Sequence, residues 1–315
     1  MISENTKFYD IYDMPNFSQC RDYFFANARH SRYFKTKNML ISEINKVKPH
    51  WDPDDIVYGL NRLLQISNSN FFYDVYSKDN LDKFGEKKDV KLFYFPSSVK
   101  SKKFAIVCSG GAYVGTCNVV EGFPISAKLN ELGYNAFVLC YTVNQQALMP
   151  KPLDDIYTSY NFITNNFNVN KNDYILVGSS AGANLVTIFG TSKFGYKKYN
   201  LPKPKLILCE YPFVSFSLKP CLFRSGIEDI MFGKNANINL YDIENNIDFD
   251  YPTTYAVACK DDEDVNPENI ILLDKQLTQN KIKHKCLLAE NGGHGFGLGS
   301  KTDCNGWIEK GLTLI

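Results

Sequence analysis

Tyr174-Ile175-Leu176-Val177-Gly178-Ser179-Ser180-Ala181-Gly182-Ala183-Asn184-Leu185 decides how this chain is read. An apolar run of strand type enters Gly-x-Ser-x-Gly, and a segment of helical character leaves it. That is the form of a nucleophile elbow, a tight strand-to-helix turn that lifts a serine hydroxyl clear of a sheet. Gly178 and Gly182 let the turn close, because a Cβ at either would crowd neighbouring backbone. Ser180 then stands at a helix N-terminus, where free N–H groups and the positive end of the dipole favour developing negative charge. Taken alone, the pattern also fits an ordinary strand-to-helix turn, so the flanking chain has to discriminate.

Outward from the elbow, strands and helices alternate. Phe104-Ala105-Ile106-Val107-Cys108 is a continuous apolar strand suited to burial on both faces, and it runs into Ser109-Gly110-Gly111-Ala112-Tyr113. A helix carrying Ile125, Leu129 and Leu132 ends at Gly133, and Ala136 to Tyr141 form the next strand. After Pro150 and Pro152 a helix begins with Asp154, Asp155 and Ile156 in its first turn. Leu206–Cys209, Thr254–Cys259 and His284–Ala289 supply three later strands, with helices expected near 267–280 and 303–313. Phe71–Tyr76 and Val90–Phe95 read as an antiparallel opening to the sheet. The alternation predicts an α/β fold, a mostly parallel doubly wound sheet covered by helices on both faces. Residues 212–250 are too long for a plain connection and are expected to form a partly helical cap insertion over the site.

Residues 1–67 have a different texture and are read as a helical N-terminal extension, leaving 68–315 as the catalytic domain. Aromatic and basic residues interleave in Tyr23-Phe24-Phe25 and Arg29-His30-Ser31-Arg32-Tyr33-Phe34. Nucleic-acid stacking is one reading of such a run; a packed helical extension suits its modest charge and clustered aromatics better. Asp52 suits an N-cap, Pro53 the first helical position, and Trp51 can staple onto Ile56. Ile56, Leu60, Leu63 and Leu64 then share a helical face that needs a partner, expected to be the main domain close to its site. Such a cap would shape the substrate pocket.

Bulk properties exclude several function classes. The chain has 315 residues, 44% hydrophobic and 22% charged, with a formal net charge of +1. No strong field points to nucleic acid or an anionic membrane, and no apolar run is long enough to span a bilayer. Met1 to Lys7 lacks the basic-then-apolar layout of a signal peptide. The nine cysteines show no C-x-x-C spacing, and Cys108, Cys140, Cys209 and Cys259 fall in or at the ends of apolar strands. They read as reduced, buried thiols of a cytoplasmic protein. Four unclustered histidines argue against a zinc site.

In a doubly wound sheet, reactive groups collect beyond the carboxyl ends of the strands. Four features fall there in order: Ser109-Gly110-Gly111-Ala112, Gly178-Ser179-Ser180-Ala181-Gly182, Asp262-Glu263-Asp264-Val265 and Gly292-Gly293-His294-Gly295-Phe296-Gly297. Over about residues 70–315 the chain thus resembles the α/β-hydrolase superfamily, whose triad runs Ser, then Asp or Glu, then His. Within it, the sequence is most similar to the acetyl-xylan and feruloyl-esterase-like and hormone-sensitive-lipase-like esterases. A serine needs a base to take its proton, and His294, flanked by glycines, is the candidate. Asp261, Asp262 and Asp264 all compete to orient that imidazole; the family pattern, an acid before x-x-Val, selects Asp262. Ala181 N–H supplies one oxyanion-hole donor by elbow geometry, with Gly111 or Ala112 N–H as the other. The relatives commonly read His-Gly-Gly-Gly here, so Ser109 and Ala112 are departures, although backbone amides do the work. Tyr113, Phe213 and Phe216 are candidates for an acyl pocket and equally for core packing.

The resemblance implies a serine hydrolase of carboxylic esters, with short-chain acyl or acetyl esters of carbohydrates or small molecules as substrates. It calls for no metal or organic cofactor, no nucleic acid and no membrane. A homodimer is compatible with it, and the oligomeric state stays open. Two rivals remain at this point: a peptidase of the prolyl-oligopeptidase type, which shares fold and triad order, and a non-catalytic binding protein on a hydrolase scaffold. No propeller-length segment accompanies the first, and an intact Ser180, Asp262 and His294 set argues against the second.

Overall fold

The computed structural model describes residues 1–25, 38–77, 85–145, 148–218 and 238–315. Arg29–Phe34, including His30, and the middle of the 212–250 insertion lie outside them. Eight strands form one sheet: β1 (Phe72–Asp74), β2 (Lys91–Phe95), β3 (Phe104–Cys108), β4 (Asn135–Cys140), β5 (Tyr174–Ser179), β6 (Leu206–Glu210), β7 (Thr254–Cys259) and β8 (His284–Ala289). Their spatial order is β1-β2-β4-β3-β5-β6-β7-β8. The first two strands join antiparallel and the rest pair in parallel, which is the α/β-hydrolase arrangement.

Register matters more than count here. Cys108 lies opposite Gly178, Gly178 opposite Cys209, Ser179 opposite Glu210 and Cys259 opposite Ala289. The carboxyl ends of β3, β5, β6, β7 and β8 are therefore level, and the residues that follow each strand share one edge of the sheet.

Alternating side chains of the central strands serve two separate cores, as the period-2 geometry of a strand requires. On one face Ala105, Val107, Ile175, Val177, Leu206, Leu208 and Val257 pack with the N-terminal extension, the helix α3 (Phe123–Glu131) and the C-terminal helix Trp307–Leu312. On the other, Phe104, Ile106, Tyr174, Leu176, Ile207 and Ala256 pack under α4 (Lys151–Asn166), α5 (Ala181–Phe189) and α6 (Glu268–Gln279). Tyr113, Phe213 and Phe216 belong to this second core, all buried, with Phe213 and Phe216 edge to face at 4.7 Å.

Among the described residues, the extension holds a short helix, α1 (Phe8–Tyr12), three 3-10 segments and a long helix, α2 (Pro53–Ile66). The Asp52 carboxylate accepts the Asp54 N–H at 3.0 Å, and Pro53 occupies the first helical position, as the sequence predicts. Ile56, Leu60 and Leu63 are buried against α3, while Leu64 is half-buried. Phe24 meets Phe123 edge to face at 5.4 Å, and Phe25 stacks on Trp51 at 5.7 Å. Phe8, Phe17, Phe24, Phe25 and Trp51 of the extension thus share a core with the main domain.

Of the insertion, Ile238–Tyr241 and Ile243–Asn245 form 3-10 turns, and the second packs against α6. The last helix, α7 (Trp307–Leu312), is shorter than the expected 303–313. Gly306 before it has a φ of 75°, and Asp303 is committed to the Asn291 N–H at 3.0 Å, so the helix cannot begin earlier. All eight described cysteines are free thiols, every one buried except the half-buried Cys286. No helix among the described residues is long and apolar enough to cross a membrane.

Candidate active site

The turn between β5 and α5 is as tight as the glycines imply. A Cβ on Gly178 would collide with the Gly182 carbonyl, and one on Gly182 with the Cys108 carbonyl. Between them Ser180 has φ 53° and ψ −116°, a conformation a non-glycine residue holds only when its surroundings impose it. Its N–H donates to the Glu210 carbonyl at 3.1 Å, which pins the turn to β6. Ser180 is 5% exposed, with its hydroxyl at the N-terminus of α5.

His294 reaches that hydroxyl from the far side. Five glycines between 292 and 299 take positive φ, so the loop after β8 folds back over the sheet edge. Backbone ties hold it there: Gly293 N–H donates to Asp261 at 2.8 Å, and Trp307 Nε1–H to the Gly297 carbonyl at 3.1 Å. His294 Nε2 lies 2.9 Å from Ser180 Oγ, and Nδ1 lies 2.8 Å from Asp262 Oδ2. With Nδ1–H donating to the carboxylate, Nε2 is left as the acceptor for the serine hydroxyl. Asp262 is held in turn by the N–H groups of Asp264 at 2.9 Å and Val265 at 2.8 Å, both on Oδ1.

The three competing aspartates have separate partners. Asp262 faces the imidazole, Asp261 clamps Gly292 and Gly293, and Asp264 pairs with Lys48 of the extension. Spacing alone left all three open; the direction of each side chain in the loop after β7 separates them.

The loop after β3 lies directly against the elbow. A Cβ on Gly110 would come within 2.7 Å of Ser180 Cβ. The loop is closed by Val114 N–H to Gly111 O at 3.0 Å and Cys117 N–H to Gly110 O at 2.9 Å. Gly111 has φ 140°, Ala112 φ 54° and Tyr113 φ 57°. Ala112 thus adopts the left-handed backbone that the third glycine of the common pattern would take without steric penalty. Among the described residues, the amides of Gly111, Ala112 and Ala181 have no protein acceptor, as donors awaiting an oxyanion require.

Several neighbours were not singled out in the sequence. Tyr211, just past β6, packs its ring 4.4 Å from the His294 ring, and its hydroxyl donates to Glu121 at 2.9 Å. Glu121 also accepts Gly110 N–H at 2.6 Å. From the extension, the His50 ring rests on Gly293, where any Cβ would collide with it, and Trp51 faces Gly295. Asp55 of α2 accepts the Ser300 hydroxyl at 2.6 Å, and Lys301 pairs with Asp52 at 2.8 Å. The signal was faint but physical: Glu121 is a lone acid inside Val119-Val120-Glu121-Gly122-Phe123, and a buried acid needs partners.

The profile of the BD-FAE family matches residues 92–285, well over half of the chain. The chain belongs to this family. BD-FAE proteins are esterase-like α/β hydrolases, and the general chemistry of this member is hydrolysis of carboxylic esters. The match spans the loop after β3, Ser180 and Asp262, and stops before His294. Among solved structures, the chain is similar to an acetyl ester-xyloside bifunctional hydrolase from Caldicellulosiruptor lactoaceticus, with TM-score 0.63 and 22% identity over 77% of this chain and 93% of that one. It is also similar to a truncated carbohydrate esterase from gut microbiota, with TM-score 0.60 and 16% identity over 72% and 90%. A third is the carboxylesterase Cest-2923 from Lactobacillus plantarum WCFS1, with TM-score 0.58 and 19% identity over 66% and 80%. At these identities the likeness is one of fold. No curated protein sequence matches the chain.

Proposed function

We propose that this BD-FAE family member is a serine esterase that cleaves small acyl esters, acetyl esters foremost, through an acyl-enzyme on Ser180. The observation that carries the reading is the hydrogen-bonded series from Asp262 through His294 to Ser180, ending on a serine at a strained elbow. The substrate carbonyl oxygen points at the N–H groups of Ala181 and of Gly111 or Ala112. Ser180 Oγ attacks the carbonyl carbon while His294 Nε2 takes its proton, and Asp262 stabilises the imidazolium. The tetrahedral intermediate collapses, the C–O bond to the alcohol breaks, and His294 protonates the departing oxygen. Water then gives a proton to the same nitrogen, attacks the acyl carbon, and the acid leaves as Ser180 recovers its hydrogen.

Preference for a small acyl group draws on the names of two proteins that share the fold. The acetyl ester-xyloside hydrolase and the carbohydrate esterase share the fold, and their names describe esters of that size or setting. The test is a panel of aryl esters of increasing acyl length beside aminoacyl amides, run on the native chain and on Ser180→Ala. The expected outcome is fastest turnover of acetyl and neighbouring short esters, little amide cleavage, and loss of ester turnover in a Ser180→Ala protein that still folds. Wild-type turnover by Ser180→Ala would refute the nucleophile, and a preference for amides would refute the substrate class.

A further inference from the structure

Beneath the site lie two carboxyl groups that the steps above do not use. Glu121, on the irregular helical turn Asn118–Gly122, is 4% exposed, and Glu210, the last residue of β6, has no exposure. Burial of a carboxylate is costly unless its oxygens are paired. Both oxygens of Glu121 are: Oε2 accepts Gly110 N–H at 2.6 Å, and Oε1 accepts the Tyr211 hydroxyl at 2.9 Å. Glu210 accepts from the Ser179 hydroxyl on Oε1, while its Oε2 finds no partner among the described residues.

Buried carboxyls that feel each other's charge resist ionising together. Burial raises both, Glu210 well above the ordinary carboxyl range, with the charge of Glu121 adding to it. At Glu121 burial is opposed by His294, by the Tyr211 and Gly110 hydrogen bonds and by Lys48. Both Glu121 oxygens accept hydrogen bonds, the pattern that suits an anion, whereas one Glu210 oxygen has no partner among the described residues.

The two partners of Glu121 are what gives it a task. Gly110 opens the loop whose next amides are the candidate oxyanion donors, and it packs against Ser180 Cβ. Tyr211 underlies the imidazole, and Gly297 N–H of the histidine loop reaches its hydroxyl at 3.4 Å. Tyr211 has φ 38°, a left-handed backbone that an aromatic residue holds only under constraint. Ala112 and Tyr113 in the loop after β3, and Ser180 at the elbow, share that trait. Strain of this kind collects where a side chain must be aimed.

We propose that Glu121 is a positioning residue for ester hydrolysis: through Gly110 it fixes the oxyanion loop, and through Tyr211 it seats the imidazole of His294, its charge favouring the imidazolium. A single buried carboxylate thus couples the two halves of the site. The inference rests on the serine-esterase reading above. The charged and titratable groups facing Glu121 are Glu210 and Tyr211 from β6 and its exit, His294 from its loop, Lys48 from the extension, Tyr141 after β4, and Cys117 before its own turn. Those about His294 are Asp262, Glu121 and Tyr211, with His50 against the adjoining Gly293.

Three full-length variants test it: Glu121→Gln, Tyr211→Phe and Ser180→Ala, each assayed on a short-chain aryl ester across acidic to neutral pH. Melting temperature and titration of active sites by a fluorophosphonate are read alongside. Glu121→Gln keeps the size but removes the charge, so kcat per titrated site should fall about tenfold or more with KM within about twofold, as expected when oxyanion geometry loosens. The acidic limb of kcat/KM should also move to lower pH, because the imidazolium loses a neighbouring anion. Tyr211→Phe keeps both the ring and the carboxylate. It should lower kcat about threefold or more and leave that limb in place, and it stands in should Glu121→Gln fail to accumulate. Wild-type kcat and pH profile in folded Glu121→Gln, or in folded Tyr211→Phe a wild-type kcat, would overturn the inference. So would losses fully accounted for by fewer titratable sites. If Ser180→Ala alone is dead, only this inference falls; if Ser180→Ala is active, the esterase reading beneath it has failed.

Discussion

At the scale of single residues, the loop after β7 shows how similar side chains take on different work. Asp262 faces the His294 imidazole, Asp261 holds two loop amides, and Asp264 makes a partly exposed ion pair with Lys48. Asp262→Asn should therefore cost about 10⁴-fold in kcat, since an amide can hold the wrong imidazole tautomer and cannot stabilise its cation. Asp264→Asn removes only a half-exposed ion pair and should cost less than about 1 kcal/mol in stability, with kcat nearly unchanged. Asp261→Asn keeps an oxygen acceptor for Gly293 and should fall between the two. Steady-state kinetics on the three variants checks the order, and equal losses would contradict it. The meeting of Ser180 and His294 was legible from the chain, because glycines on either side declare turns that only a demanding geometry needs. The acid was not legible from spacing alone, since direction within a loop leaves no periodic trace. Glu121 and Tyr211 were harder still: their roles arise from contacts between residues 90 positions apart.

At the scale of elements, the strands were the most readable parts. Phe104–Cys108 and Thr254–Cys259 match their expected bounds, because a fully buried strand is an unbroken apolar run ending at turn residues. The irregular turn Asn118–Gly122 and the late start of α7 were not readable, as both answer to tertiary contacts rather than local preference. One contact between elements carries a pH signature. Asp55 of α2 is bonded to Ser300 beyond the histidine loop, and burial lifts its carboxyl from 3.8 to about 6. A carboxyl whose pKa is higher folded than unfolded binds its proton more readily in the folded chain. Its effect on stability therefore declines as pH rises from 3.8 to about 6 and is level above that. Asp55→Asn retains an acceptor for Ser300 without the charge. Its melting temperature relative to wild type should climb through that window and then plateau; a constant difference across it would contradict the assignment.

At the scale of the molecule, the extension shares one core with the sheet, and Lys48, His50, Trp51 and Asp55 meet the loops that carry Asp262 and His294. Its docking on the main domain was foreseeable from the apolar face of α2, whereas which residues touch the site depends on chain direction that sequence does not encode. If the extension shapes the pocket, Lys48→Ala and His50→Ala should alter the ratio of kcat/KM between bulky and small alcohol esters by about threefold or more, with phosphonate reactivity at Ser180 kept. An unchanged substrate profile in both would leave the extension a structural support alone. The central claim, that a single activated serine performs the chemistry, is tested most directly by treating the full-length chain with a fluorophosphonate and mapping the labelled peptide while ester turnover is followed. The account predicts a single phosphonyl group per chain, on Ser180, with hydrolysis lost in proportion to labelling. A label on Ser179 or elsewhere, or full turnover by chains labelled at Ser180, would contradict it.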